Sequence, residues 1–403
     1  MNAPSGHVVA AAPRFFAERI ALLFCAPMLV AGIALPYFPV WLNTLSLSDV
    51  EIGIVLAVPM IMRVVTAPIA GVIADRIGER TVVLVWSAIL SFATALALFA
   101  ADSFWPVLLL FSLQGAVFAP YMPIADAIAL SGVRRWNFDY GTMRYWGSIA
   151  FIAATMVGGW LSGLYGGAMV LPAMAVSFAL TIVTALLAPR IGKPRRPSPI
   201  TALAVAPART LRQTDVQLML VGAAIVNASH AMLFAFSAIY WHGLGFSGTA
   251  IGLLWSAGVF AEVIVFVFAR HIRRRVNLWT LIIAGSAVAI VRWIIFPVEM
   301  GFAGYLALQC SHAFTFACIH IGVQNRIVQR VDEEQEASAQ GLYFLYNGLF
   351  MALATFFAGY VYTRYGIDGF YFMSLVAALG LVFVCAARLA ESRAGGNPET
   401  GSI

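Results

Sequence analysis

Charge is scarce in this chain. Only 10% of its 403 residues are Asp, Glu, Lys or Arg, against about a quarter in an ordinary soluble domain. Meanwhile 62% are hydrophobic, more than a soluble fold of this length can bury. Cysteine is also sparse. Cys25, Cys310, Cys318 and Cys385 all fall in apolar runs. Without CxxC spacing they read as small packing residues, which argues against a disulfide scaffold or a zinc site. No glycine-rich nucleotide loop, no nucleophile–base constellation and no room for a sensing domain can be found, so a membrane enzyme or sensor is disfavoured and no cofactor is expected. The opening MNAPSGHVVAAAP lacks a positive n-region, so no cleaved signal peptide is read.

The apolar residues come in runs of about 20, the length that crosses a bilayer as a helix. Twelve runs stand out, near 20–43, 50–73, 81–101, 105–131, 141–165, 168–188, 216–241, 250–270, 278–297, 301–327, 337–362 and 368–388. With both termini in the cytoplasm, 20 of the 24 Arg and Lys residues fall on the cytoplasmic side, and only Arg364 falls outside. The other three, Arg63, Arg144 and Arg292, lie within the runs. The positive-inside rule selects this topology. The net charge of +6 therefore reports topology, and nucleic acid is not an expected partner. The Arg-rich, Lys-poor, Ala-rich composition suggests a GC-rich bacterial genome and so an inner membrane.

Residues 189–214, PRIGKPRRPSPITALAVAPARTLRQT, hold five prolines and six basic residues. They form the one long polar interruption, a cytoplasmic linker that divides the runs into six within 1–188 and six within 215–403. The halves also repeat. WLNTLSLSDVEIG from Trp41 to Gly53 is echoed by WHGLGFSGTAIG from Trp241 to Gly252, and Ser48 and Glu51 make a capping box for span 2. Eleven residues past Ile52 stands Arg63, and eleven past Ile251 stands Glu262. Two pseudosymmetric six-helix bundles with a midplane site between them describe the major facilitator design. The loop GVIADRIGER (71–80) resembles its motif G-x-x-x-D-R-x-G-R-R, with Glu79 replacing one arginine. The resemblance implies that Gly71, Asp75, Arg76, Gly78 and Arg80 serve gating. The second-half counterpart ARHIRRR (269–275) keeps only the basic charge.

Charged groups inside the runs carry the functional signal. By helical rise, Asp126 lies about 8 Å and Arg144 about 9 Å from the cytoplasmic ends of spans 4 and 5. The short loop VRRWNF joins these spans, so Asp126 can neutralise Arg144, and Arg63 could reach them. The pair either locks a hairpin or belongs to a transport path, which is where ionisable residues in membrane helices are usually found. In the second half, Glu262, His230 and His312 fall about 16–21 Å deep, one midplane layer. Arg292 and His320 lie on spans 9 and 10. A carboxylate and histidines at that depth can take up and release a proton. The histidines occupy two spans without an HxxxH pair, so no metal is expected. Three arginines against two acids leave a surplus positive charge. A substrate carboxylate would answer it, since arginine binds carboxylate bidentately. Tyr145, Trp146, Phe234, Trp255 and Tyr343 are among the aromatic residues nearby.

DYGTMRYWGSIAF (139–151), residues 230–266 and CSHAFTFACIH (310–320) closely resemble the 3-phenylpropionate permease group of the major facilitators, itself similar to lactose permease. The resemblance runs from span 1 to span 12. It implies proton-linked uptake of an aromatic carboxylic acid, with Asp126 and Arg144 at the substrate and Arg292 and His312 in coupling. The buried charges and histidines read above add Arg63 at the substrate and Glu262, His230 and His320 in coupling, and a functional monomer is expected. The lactose-type pattern has a glutamate three residues after the span 10 histidine. Thr315 stands there, which moves proton duty toward Glu262. Export of hydrophobic compounds and proton symport of a sugar or nucleoside are the alternatives.

Overall fold

The computed structural model describes residues 11–77, 79–191, 213–331 and 336–395. Most of the expected linker, residues 192–212, thus lies outside the described residues. Sixteen α-helices are found among the described residues. They are α1 (Phe16–Thr44), α2 (Asp49–Ile77), α3 (Arg80–Ala97), α4 (Phe104–Phe118), α5 (Tyr121–Trp136), α6 (Tyr140–Tyr165), α7 (Val170–Leu187) and α8 (Thr214–Ala228). There follow α9 (Ala231–Gly243), α10 (Gly248–Val267), α11 (Ala269–Arg275), α12 (Leu278–Ile295), α13 (Gly301–Cys310), α14 (Ile319–Arg330), α15 (Glu336–Tyr365) and α16 (Phe370–Gly395). A π-helical turn, Ala313–Cys318, joins α13 to α14.

Eleven stretches among the described residues are long and apolar enough to cross a membrane. The last, Ser338–Arg393, has 56 residues, about 84 Å of helix. It is far too long for one crossing and is divided by the 3-10 turn Gly366–Gly369, so it supplies two spans and completes the twelve. Large apolar side chains remain exposed at helical spacing, such as Trp105, Leu109 and Leu113 on α4 and Leu375, Leu379 and Val382 on α16. Contiguous apolar stripes of this kind are lipid-facing surface.

Three spans expected to be continuous are interrupted, and the breaks recur at every third span. Span 4 breaks between α4 and α5 at Pro120, which has no N–H to give the ladder. Span 7 breaks between α8 and α9 at Ser229 and His230, where the Ser229 hydroxyl donates to the Val226 carbonyl at 2.6 Å. Span 10 carries the π turn, preceded by a Ser311 hydroxyl bond to the Leu308 carbonyl at 2.6 Å. Side-chain hydroxyls compete with helix bonds in this way, and π turns re-aim side chains. Span 1 has no break but contains Pro27, Pro36 and Pro39. A period of three within each six matches nested three-helix repeats.

Two helix pairs close the molecule at the face opposite the arginine-rich loops, and they are built alike. At the end of α6, a Cβ on Gly159 would lie 2.3 Å from the Gly248 carbonyl oxygen. One on Gly252 would lie 2.9 Å from the Thr155 oxygen. At the end of α15, a Cβ on Gly359 would lie 2.6 Å from the Asp49 oxygen, and one on Gly53 would lie 3.1 Å from the Thr355 oxygen. Only glycine allows such backbone approach. The Tyr37 hydroxyl donates to the Thr155 carbonyl at 2.8 Å and ties α1 into the first closure. The caps match in part. The Ser48 hydroxyl accepts from the Glu51 amide at 3.3 Å as the Ser247 hydroxyl accepts from the Ala250 amide at 3.2 Å, and Glu51 completes the first cap by accepting from the Ser48 amide at 2.8 Å.

Candidate functional site

Arg292 on α12 is almost fully buried, and the groups about it form one hydrogen-bonded chain. Its Nη1 reaches His312 Nδ1 at 3.0 Å and the Thr315 hydroxyl at 3.2 Å. Its Nη2 donates to Gln309, and its guanidinium lies 4.6 Å from the Trp293 ring centre. His312 Nε2 lies 2.7 Å from Glu262 Oε1 on α10. The Thr315 hydroxyl also lies 3.0 Å from His230 Nε2, while His230 Nδ1 faces the Asn227 carbonyl at 3.1 Å. His312 and Thr315, three residues apart at the start of the π turn, face the same guanidinium.

The donor inventory assigns the protons. Arginine only donates, so His312 Nδ1 must accept and Nε2 must carry the hydrogen. That hydrogen is donated to a Glu262 oxygen. An imidazolium at His312 would set two donors against each other and lose the Arg292 bond. His230 differs. The Asn227 carbonyl only accepts, so Nδ1 carries a hydrogen, and Nε2 accepts from Thr315 in the neutral ring. On protonation the Thr315 hydroxyl can turn its hydrogen to the His312 carbonyl, 3.2 Å away. Chemically the cluster can hold or release one proton at the Glu262 carboxylate, with net charge zero when the carboxylate is ionised and +1 when it is protonated.

The first-half groups are arranged more openly. The Tyr140 hydroxyl donates to Asp126 Oδ1 at 2.8 Å and neighbours the Arg144 guanidinium. Arg144 lies 5.2 Å over the Phe24 ring. A Cβ on Gly147 would stand 2.9 Å from Arg144 Nη1, so the glycine clears room for the folded-back side chain. Asp126 and Arg144 are thus near enough to feel each other's charge, without direct contact. Among the described residues no ion pair within 4.0 Å joins them, and the tyrosine hydroxyl bridges them, because Tyr140 stands one turn before Arg144 on the same helix face.

Arg63 does not join that pair. It is exposed, and no hydrogen bond or ion pair to it is found among the described residues. Its direction is set by α2. Ile61, Val65 and Ile69 form the exposed apolar stripe. Val64 packs on Gly348 of α15, and Pro59 packs on Gly115 of α4. Arg63 lies between those packed faces and away from the lipid stripe, so it points to the space between the helices.

Glu262, His312 and His230 are thus brought together, as their depths implied, and Arg292 joins them. His320 is not bonded into the chain; it stacks on Phe316 with ring centres 6.0 Å apart and lines a cavity of about 310 Å³ with Asn227, Gln324, Gln340, Tyr343 and Asn347. Of the gating motif, Gly71 is buried, Arg76 is exposed and Arg80 is buried with Nη1 3.4 Å from the Ala127 carbonyl. Glu79 accepts from the Thr81 hydroxyl at 2.9 Å. Gly78 and the Asp75 side chain lie outside the described residues. Sequence reasoning passed over Tyr140, just before an apolar run and four residues from Arg144, and Gln309, polar within a run and three residues from His312. It also passed over the cluster at the arginine-rich face. There Arg330 meets Asp215 at 2.6 Å and Glu391 at 3.6 Å. Trp279 also donates to Glu391, at 2.7 Å.

The model of the MFS_1-like family matches residues 22–373. A probable 3-phenylpropionic acid transporter of Escherichia coli is 28% identical over 354 residues, 86% of this chain and 91% of that one. The lactose permease of Citrobacter freundii is 24% identical over 85% of this chain and 86% of its own. Among solved structures, that of the nucleoside transporter NupG superposes with a TM-score of 0.73 at 17% identity, covering 94% of this chain and 99% of that one. With the family match spanning most of its length and the fold shared end to end, the chain belongs to the MFS_1-like family and is a multi-pass membrane transporter of the major facilitator type.

Proposed function

We propose that this transporter imports a small aromatic carboxylic acid together with a proton. Residues 1–188 and 215–403 act as two six-helix bundles and both termini lie in the cytoplasm. The observation that carries the reading is the Glu262–His312–Arg292 chain, a proton-holding carboxylate tied to a buried arginine, in the same interior as the unpartnered Arg63. Charge balance supplies the coupling. With Glu262 ionised, the interior of three arginines and two acids carries one surplus positive charge. With Glu262 protonated the surplus is two, and a bound carboxylate lowers it again. Proton and anion therefore favour each other's binding, which is what symport requires.

Arg144 and Arg63 receive the carboxylate, and Asp126 with Tyr140 holds the Arg144 fork until the anion arrives. Arginine suits this task because its planar fork matches a carboxylate. Under the proposed orientation the closed glycine-lined contacts are the outer gate. The likeness to the 28% identical 3-phenylpropionic acid transporter supports the substrate class.

The test uses proteoliposomes holding the purified full-length chain and labelled 3-phenylpropionate. An imposed pH gradient, acid outside, should drive accumulation above the external concentration, and a protonophore should abolish it. Accumulation that ignores the gradient, or export only, overturns the proposal.

A further inference from the structure

The cavity of about 310 Å³ between α8, α14 and α15 is chemically unlike the arginine sites. By helical rise it reaches from about 6 Å to about 20 Å below the arginine-rich face. Its polar lining consists of amides. Gln324 Nε2 donates to Gln340 Oε1 at 3.0 Å, and the Gln340 amide donates back to Gln324. Asn227 Nδ2 donates to Asn347 Oδ1 at 2.8 Å, and Asn347 donates to the Tyr343 carbonyl at 2.8 Å. Each glutamine keeps one N–H and one lone pair unused, and Asn227 Oδ1 accepts nothing among the described residues. The walls are the rings of Phe316, Tyr343 and Phe344. No arginine, lysine or carboxylate lines it, and His320 is its one titratable edge apart from Tyr343.

We infer that this cavity is a second subsite that receives the neutral, hydroxylated ring end of the substrate, so that the preferred substrates are phenolic acids rather than unsubstituted phenyl acids. A carboxylate has no cation there to offset its lost hydration. A flat ring finds aromatic faces. A ring hydroxyl, one donor and two acceptor sites, matches the unused Asn227 oxygen and the spare amide hydrogens. The volume sits at the lower end of the about 300–1,000 Å³ typical of ligand pockets, which suits a single ring. The cavity also borders the proton chain, since the backbone carbonyl of Asn227 faces His230 Nδ1 at 3.1 Å.

This inference rests on the aromatic-acid reading above, and the experiment separates the two. Calorimetric titration of the detergent-solubilised full-length transporter compares 3-phenylpropionate, its three ring-monohydroxylated isomers and the matching methoxy compounds. One or more hydroxylated isomers should bind about tenfold tighter than the parent, the contribution of one buried hydrogen bond, and the matching methoxy compound should lose that gain. In Asn227→Leu the ratio of hydroxylated to parent affinity should fall to near one. Equal binding of all members by the unaltered protein overturns the subsite while leaving the aromatic-acid reading in place. Failure of every aromatic acid to bind overturns both.

Discussion

Arg63 and Glu262 each stand fourteen residues past the first residue of their helices, α2 and α10. Arg63 is exposed, with no partner among the described residues, whereas the Glu262 side chain is only 14% exposed and bonded to His312. The closing contacts of the two halves show no such divergence: Thr155 and Gly159 on α6 meet α10 as Thr355 and Gly359 on α15 meet α2. The repeat has kept backbone approach, which has one steric solution, and has let the charged positions part. One half holds a hydrogen-bonded network, with the buried Arg292 Nε left without a partner among the described residues, and the other offers open arginines.

That contrast can be broken by experiment. The largest effect is expected from Glu262→Gln, which keeps the shape and removes the titrating group. Uphill accumulation should disappear entirely while exchange of labelled for unlabelled substrate persists, since exchange needs no net proton release. Accumulation retained by this variant would show that Glu262 is not the obligatory proton carrier.

Next in size are the closures. Gly159→Trp and Gly359→Trp each place an indole where even a Cβ would lie within 3 Å of backbone. Both should abolish net transport and leave the protein folded and open at the closure face. A reactive cysteine introduced near that face should label faster in both variants. If only one of the two variants changes labelling, the two closures are not equivalent.

The two halves should then differ in how charge removal affects stability. Arg292→Leu leaves Glu262 uncompensated in a buried chain and should cost about 3–5 kcal/mol, read as a large drop in thermal unfolding temperature. Arg144→Lys should leave that temperature nearly unchanged, yet slow uptake by about 10- to 100-fold, because the ammonium cannot replace charged hydrogen bonds made by a planar fork. The double variant Asp126→Asn with Arg144→Gln removes both charges. It should reach the membrane yet bind no substrate, and near-normal binding would return the pair to a purely structural role.

The smallest change is expected from Arg63→Gln. With no partner to orphan, it should leave unfolding unaltered and weaken substrate affinity about tenfold. A marked loss of stability would mean that Arg63 is held by contacts outside the described residues.

Sequence alone determined the span count, the apolar run positions and the depth at which each charge sits. All of these follow from a fixed rise per residue and from the cost of charge in hydrocarbon, so they can be read along one dimension. It also carried the Ser48–Glu51 cap, whose partners are three residues apart. It did not reveal that Tyr140 would stand between Asp126 and Arg144, because depth says nothing about rotation around the helix. It did not locate the π turn beside His312, since a local change of helical winding leaves hydrophobicity untouched. Nor did it show that Thr155 and Thr355 mark matching closures. Those residues acquire meaning only when backbones far apart in the chain approach within a glycine's width, and that approach is decided by tertiary packing.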